Sequence, residues 1–414
     1  MMAIRNLLWS CVVTLMLLTV PLFSQQGGKI DIDKVEPSRL LLDKYSFMVQ
    51  PHSFYYFHNM DQLNLQQDWV HKDGRTFPLK EPKGSFAASY TFRGEPHTLD
   101  EYFQRNFVLG FLILHDDQIL LERYFHGADA NSRFVSNSVG KSFVSVLIGA
   151  ALQEGKIKSV NDPVIQYLPY LSASGFRDAS IKNVLQMTSG LQFNEDYLKP
   201  DADIHRCTVA LLRGEPSFRD LAASIQSKAK PGTQNEYQSI NTQVLGLLLE
   251  KVTGRQLNEY AQEKLWSKMG PQSDAFFYRG KKQPDICAYG CLNVTLRDYG
   301  RFGLMSMNGG IIGGERIVPE PWIRESSTPD AEFLKAKPNG PNDQANFGYG
   351  YQWWIPYGSD GVFMALGIYG QTIYVNPARH VVIVQTSAWP EPDTDERWDE
   401  TVKVMETIAR QIQR

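Results

Sequence analysis

Ser138 and Lys141 stand three residues apart in Ser136-Asn-Ser-Val-Gly-Lys-Ser142, just ahead of an apolar stretch that runs to Gly155. On a helix that spacing sets a hydroxyl and an amine on one face. A serine hydroxyl is a weak nucleophile until a neighbour takes its proton, and a desolvated lysine can serve as that neighbour. Gly140-Lys141-Ser142 also ends a phosphate-loop pattern, but that pattern needs a glycine five positions before Gly140, and Val135 stands there. No Gly-x-Ser-x-Gly surrounds Ser138 and no histidine falls near it, which disfavours a Ser-His-Asp triad.

The residues after the pair predict how it is held. Phe143, Val146, Leu147, Ala150 and Ala151 recur at helical spacing, and the segment is apolar on most faces, so a buried helix is expected. A hydroxyl and an amine at the start of a buried helix are costly unless they are paired or used. Backbone amides at such a helix start are suited to holding a developing oxyanion.

Around this helix the chain falls into parts. Residues 107–114 read as a buried strand and 118–125 as its hairpin partner. From about Pro163 to Gly270 the pattern is helical, with stops at Gly190, Gly254 and Gly270. Residues 349–355, 362–366, 372–375 and 381–386 read as strands, and Trp398, Val402, Met405, Ala409 and Ile412 mark one face of a last helix. The expected fold is α/β (α+β): an antiparallel sheet flanked by helices, built from N- and C-terminal segments, with an inserted all-helical domain. The boundaries expected are 97–162 with 285–414 for the α/β domain and 163–284 for the insertion. Residues 29–96, rich in Pro and aromatics, are expected to wrap irregularly over the main domain.

Of 414 residues 43% are hydrophobic and 21% charged, which places the chain among globular proteins. A net charge of -3 without a Lys/Arg-rich run excludes the basic surface that nucleic-acid binding needs. Arg5, the apolar stretch 7–23 and small Ser24 read as a signal peptide over residues 1–24, so a secreted or periplasmic protein is expected, with an uncleaved N-terminal anchor as the alternative. No stable membrane insertion of the mature chain is expected. Cleavage leaves Cys207, Cys287 and Cys291, enough for one internal disulfide at most, and their spacing matches no zinc site. No metal or organic cofactor is implied.

Three features lie in order along the chain: Ser138-x-x-Lys141, Tyr237-x-Ser239 after a Pro-Gly turn, and Gly367-Ile-Tyr-Gly-Gln371 leading into a strand. With Leu185-Gln-Met-Thr-Ser-Gly-Leu191 and Leu292-Asn-Val-Thr-Leu-Arg-Asp298, they resemble the serine hydrolases of the penicillin-binding protein and class C β-lactamase type. The branch of esterases and 6-aminohexanoate-dimer hydrolases is the nearest in wording. The resemblance covers about residues 100–410 and implies the serine β-lactamase-like fold. It implies Ser138 as acylated nucleophile and Lys141 and Tyr237 as proton handlers, with the base duty open between the two. It also implies an oxyanion hole from the amide of Ser138 and one from Gly370 and Gln371.

Two departures bear on substrate. Ser239 stands where such β-lactamases carry asparagine, and Ile368-Tyr369-Gly370 replaces a Lys-Thr-Gly whose cation holds the β-lactam carboxylate. Tyr369 is expected to shape the pocket. Tyr197, in Phe193-Asn-Glu-Asp-Tyr197, resembles a substrate-loop tyrosine of the amide-hydrolysing branch, a packing role being the alternative. The expected activity is hydrolysis of a small-molecule ester or linear amide through an acyl-enzyme. The alternatives are a D-Ala-D-Ala peptidase or weak β-lactamase, and a non-catalytic sensor of peptides or cell-wall fragments.

Overall fold

The two apolar runs near residue 110 form a hairpin, Val108–His115 with Gln118–Tyr124. In the computed structural model, which describes residues 47–82, 84, 86–338, 347–358 and 361–412, this hairpin is one edge of a seven-stranded sheet. The expected signal segment 1–24 lies outside those residues. Beyond the hairpin the strands run Val381–Ser387, Gln371–Asn376, Phe363–Gly367, Trp354–Pro356 and Phe347–Tyr349, antiparallel throughout. The sheet therefore takes strands from both ends of the chain, as expected. Phe363–Gly367, Gln371–Asn376 and Val381–Ser387 are buried along their whole length, which is why they read as continuous apolar runs and not as alternating ones.

One face of this sheet is covered by the helix Leu296–Met307. Its Gly300 and Gly303 lie against Leu112 and Val382; a Cβ on Gly300 would meet Leu112 at 2.8 Å, and one on Gly303 would collide with Val382. From the same helix Phe302 stacks on Phe143 at 3.6 Å. Phe143 belongs to Gly140–Gln153, the helix that carries Lys141, and its first twelve residues are buried. A third helix, Ser239–Thr253, packs against that one and ends at Gly254 in the left-handed region (φ 67°). On the opposite side, Tyr102 donates to Gln385 of the sheet at 2.7 Å and lies 2.9 Å from Thr401 of the C-terminal helix Asp395–Gln411.

A second sheet orders Gln66–Val70, Ala275–Arg279, Leu292–Thr295 and Arg133–Val135. Gln66–Val70 belongs to the stretch read as irregular. Its alternation is concealed because an inward position holds Asp68, which is buried and paired with Arg279 through two bonds of 2.7 and 3.1 Å. Ala275–Arg279 is likewise a strand inside the stretch expected to be all helical. The expected helix ending at Gly190 is shorter, Ile181–Leu185, because Gln352 Nε2 donates to the carbonyl of Leu185 at 2.6 Å and Met187 turns to φ 57°. Cys287 and Cys291 form a disulfide, and Cys207 is a buried thiol. No helix among the described residues is long and apolar enough to cross a membrane.

Asp298 joins these parts. Fully buried, it accepts from Arg301 at 2.8 Å, Thr295 Oγ1 at 2.8 Å, and the amides of Gln272 and Ser273 at 2.7 and 3.0 Å. Asp298→Ala leaves a buried guanidinium and two amides without their acceptor, so a loss of about 3–5 kcal/mol is expected in urea unfolding. A loss below about 1 kcal/mol would show that water replaces the carboxylate at no cost.

Candidate active site

The strand Arg133–Val135 runs directly into a tight turn, Asn137–Val139, and then into the buried helix. Asn137 holds φ 41°, a conformation uncommon for a residue with a side chain, and its Nδ2 donates to the carbonyl of Ile368 at 3.0 Å. Ser138 therefore sits at a sharp strand-to-helix corner, 9% exposed. Gly367, the last residue of its strand, packs on this corner. A Cβ there would come within 2.8 Å of Ser136 O and 2.9 Å of Ser138 N, so the close approach requires glycine.

Lys141, one turn further on, is 1% exposed. Its Nζ donates to Ser138 Oγ at 2.8 Å and to the carbonyl of Tyr289 at 2.7 Å. The same nitrogen lies over the rings of Tyr237 and Tyr289, 5.2 and 5.6 Å from their centroids. Burial disfavours the ammonium and brings its pKa down to about 7, against the opposing pull of Glu195. The amine next to the serine thus changes charge near neutrality. Once neutral it can accept the proton of the hydroxyl it touches.

Tyr237 is placed by the segment before the helix Ser239–Thr253. Asn235 Nδ2 donates to Gln186 O at 2.8 Å, the Glu236 amide donates to Met187 O at 2.9 Å, and Gln238 Nε2 reaches Leu191 O at 3.1 Å. Its ring stacks on Trp354 at 5.1 Å and meets Tyr349 edge-on at 6.1 Å. Burial raises its phenol well above the ordinary value, with the Glu195 charge adding to this and a hydrogen bond with the Ser138 side chain opposing it. Ser138, Lys141 and Tyr237, far apart in sequence, are thereby brought together.

The remaining expected residues divide. Ser239 donates its amide to Glu195 at 2.9 Å and its hydroxyl at 2.5 Å, and Tyr197 donates to Glu195 at 2.8 Å. Tyr197 and Ser239 both line the site. Tyr369, with φ 62°, also lines it and packs edge-on against Phe57 at 5.4 Å. Gln371 pairs with Gly367 across the tight turn at Tyr369, and its strand packs against the turn that carries Ser138. A Cβ on Gly370 would collide with the Trp389 ring, and Gln371 Nε2 is spent on the carbonyls of Tyr369 and Ser387 at 3.1 and 2.7 Å. Gly367 abuts the Ser138 amide, and Ile368 lines the same cavities as Ser138.

Sequence reasoning gave no role to Glu195. It lies at the N-terminus of the helix Ser239–Thr253 and accepts three hydrogen bonds, which favour its charged form, while burial raises its pKa. A carboxylate beside a lysine leaves no spacing signature when the two lie on different elements. Ser138 opens onto two cavities, one of about 240 Å³ and one of about 500 Å³. No lysine or arginine among the described residues lines either, whereas Glu195, Asp196, Asp393 and Asp395 line the larger. The described residues hold no cluster of His, Cys, Asp and Glu that suits a metal ion.

Comparison with known proteins fits this arrangement. Residues 104–405 match the Beta-lactamase family. The chain is 31% identical over 309 residues to the 6-aminohexanoate-dimer hydrolase of Paenarthrobacter ureafaciens, covering 72% of this chain and 76% of that one. A Bacillus anthracis structure assigned as a 6-aminohexanoate-dimer hydrolase superposes with a TM-score of 0.78 at 23% identity, covering 88% of this chain and 96% of that one. A family VIII carboxylesterase superposes with a TM-score of 0.58 at 17% identity, over 75% and 95% of the two chains. The fold is thus that of the serine β-lactamases.

A reaction that needs neutral Lys141 loses rate as pH falls through about 7. Glu195 favours the ammonium, so Glu195→Gln lowers the Lys141 pKa and moves this acidic limb to lower pH. The pH profile of kcat/KM for the two proteins checks it; limbs at the same pH would remove Glu195 as the tuning charge.

Proposed function

The chain belongs to the β-lactamase family of serine hydrolases, and from that premise we propose that it is an exported enzyme that cleaves carboxylic esters and linear amides through a Ser138 acyl-enzyme. The observation that carries this reading is the 2.8 Å contact between the Ser138 hydroxyl and the buried Lys141 amine. Esterase and amidase relatives support the substrate class.

In the proposed cycle neutral Lys141 takes the Ser138 proton as Oγ attacks the substrate carbonyl. The tetrahedral oxyanion is held by the Ser138 amide and a backbone amide from the adjoining Gly367 and Ile368, in a site walled from bulk water. Tyr237 passes a proton to the departing oxygen or nitrogen, Lys141 resupplies it, and the acyl-enzyme forms. Water then attacks by the same route in reverse, and Ser138 is restored. Lys141 suits the base role better than Tyr237, because burial makes the amine easier to deprotonate and the phenol harder.

Charge argues against β-lactams. Their carboxylate would meet Ile368-Tyr369-Gly370 and cavities without a cation among the described residues. A fluorescent penicillin is therefore expected to leave the protein unlabelled over minutes, while a p-nitrophenyl ester acylates it.

Export is supported by the sequence of residues 1–24. Mass spectrometry of the protein released by its native host is expected to place the mature N-terminus at Gln25; recovery of the full chain in the membrane fraction would support the anchor instead.

Ser138→Ala is expected to abolish both fluorophosphonate labelling and p-nitrophenyl ester cleavage, and undiminished labelling would overturn the assignment. Tyr237→Phe keeps the ring stacking and removes the proton path, so kcat should fall about 10²–10⁴-fold with a smaller change in KM.

A further inference from the structure

We propose that the cavity of about 240 Å³ is the acyl pocket, that it takes an unbranched apolar acyl chain, and that Phe47, Met48 and Val49 set how long that chain can be. The proposal rests on the Ser138 reading above and assigns its substrate.

Tyr237 decides which cavity is which. Ser138 lines both, but Tyr237 lines only the larger. A group that hands a proton to the leaving atom has to stand on the leaving-group side. The acyl portion therefore points into the smaller cavity.

That cavity is walled by Phe47, Met48 and Val49 from the N-terminal segment and by Ile204, Leu211 and Leu212 from the helix Asp203–Arg213. No lysine or arginine among the described residues lines it, and its one carboxylate, Glu391, is exposed. Its polar lining, His205 and Thr208 among it, is interspersed with these apolar side chains, and the methylenes of an acyl chain gain from leaving water against them.

Residues 47–49 lie outside the family match, which begins at residue 104. This wall is fastened at several points. Gln50 Nε2 donates to Ala388 O at 2.6 Å, the Ser53 amide to Val49 O at 3.1 Å, and the Val135 amide to Phe57 O at 2.8 Å. The last bond ties the segment to the strand that leads into Ser138, and Phe57 also packs on Tyr369 of the cavity wall. A wall fastened on its C-terminal side by these bonds limits the length of chain that the cavity takes.

The test is a series of p-nitrophenyl esters from acetate to dodecanoate, which share one leaving group, given to the full chain and to Val49→Ala and Met48→Trp. In the unsubstituted protein kcat/KM should rise by up to about four-fold per methylene and then fall once the wall is reached. Val49→Ala should move the maximum to a longer ester and Met48→Trp to a shorter one. The readout is the ratio between chain lengths within each protein, so a general loss of activity cancels. The same maximum in all three proteins, or a maximum at acetate in the unsubstituted one, would overturn the pocket. Intact-mass spectrometry separates the two readings. Failure of every ester to leave an acyl adduct on Ser138 would sink the nucleophile assignment, while adducts with an unshifted length profile would sink the pocket alone.

Discussion

A lysine amine held against a serine hydroxyl in the dry interior is the constraint on which the rest of this structure depends. Lys141 is 1% exposed, and an ammonium taken out of water is expensive unless it is bonded or gives up its proton. Here the Tyr289 carbonyl, the Ser138 oxygen and two aromatic faces meet part of the cost. Keeping the amine dry requires that its helix be covered on every side. The helix Leu296–Met307 covers one side by using Gly300 and Gly303 to settle close to the large sheet, and Ser239–Thr253 covers another. The fold and the reactivity of Lys141 are consequences of the same burial.

Glu195 shows the same coupling from the opposite charge. It caps the helix Ser239–Thr253 and ties the loop that carries Tyr197 to it, which is structural work. The same carboxylate pulls the Lys141 proton affinity upward against burial. Replacing it would loosen a loop and shift a titration together, so a change in pH dependence is more diagnostic of its electrostatic part than a change in rate.

The sequence made the candidate site residues legible because each stands at a recognisable spacing from a helix. Ser138 and Lys141 stand three apart where a turn enters one helix, and Tyr237 stands two residues before another that ends at a glycine. The large sheet was legible for a related reason: its central strands are buried on both faces, so they stand out as unbroken apolar runs. What stayed hidden depends on pairs across the fold. Asp68 and Arg279 are 211 residues apart, and a buried acid in a strand reads as a loop until its partner is seen. The packing of Gly367 on the Ser138 amide is likewise made across the fold, and neither that contact nor an aromatic at φ 62° leaves a mark in sequence.

The turn at Tyr369 also gives the N-terminal segment its place. With the motif's lysine replaced by Ile368 and its threonine by Tyr369, the strand end presents an aromatic ring to the cavity instead of a cation. An exposed ring there would widen the mouth and leave apolar surface wet. Phe57 packs against it, and the Phe57 carbonyl holds the strand that enters the turn carrying Ser138. The uncharged strand end and the Phe57 ring that packs on it therefore form one apolar surface. A segment that reads as mere wrapping thus supplies Phe47, Met48 and Val49 to a cavity onto which Ser138 opens, and Phe57 to the ring at the strand end.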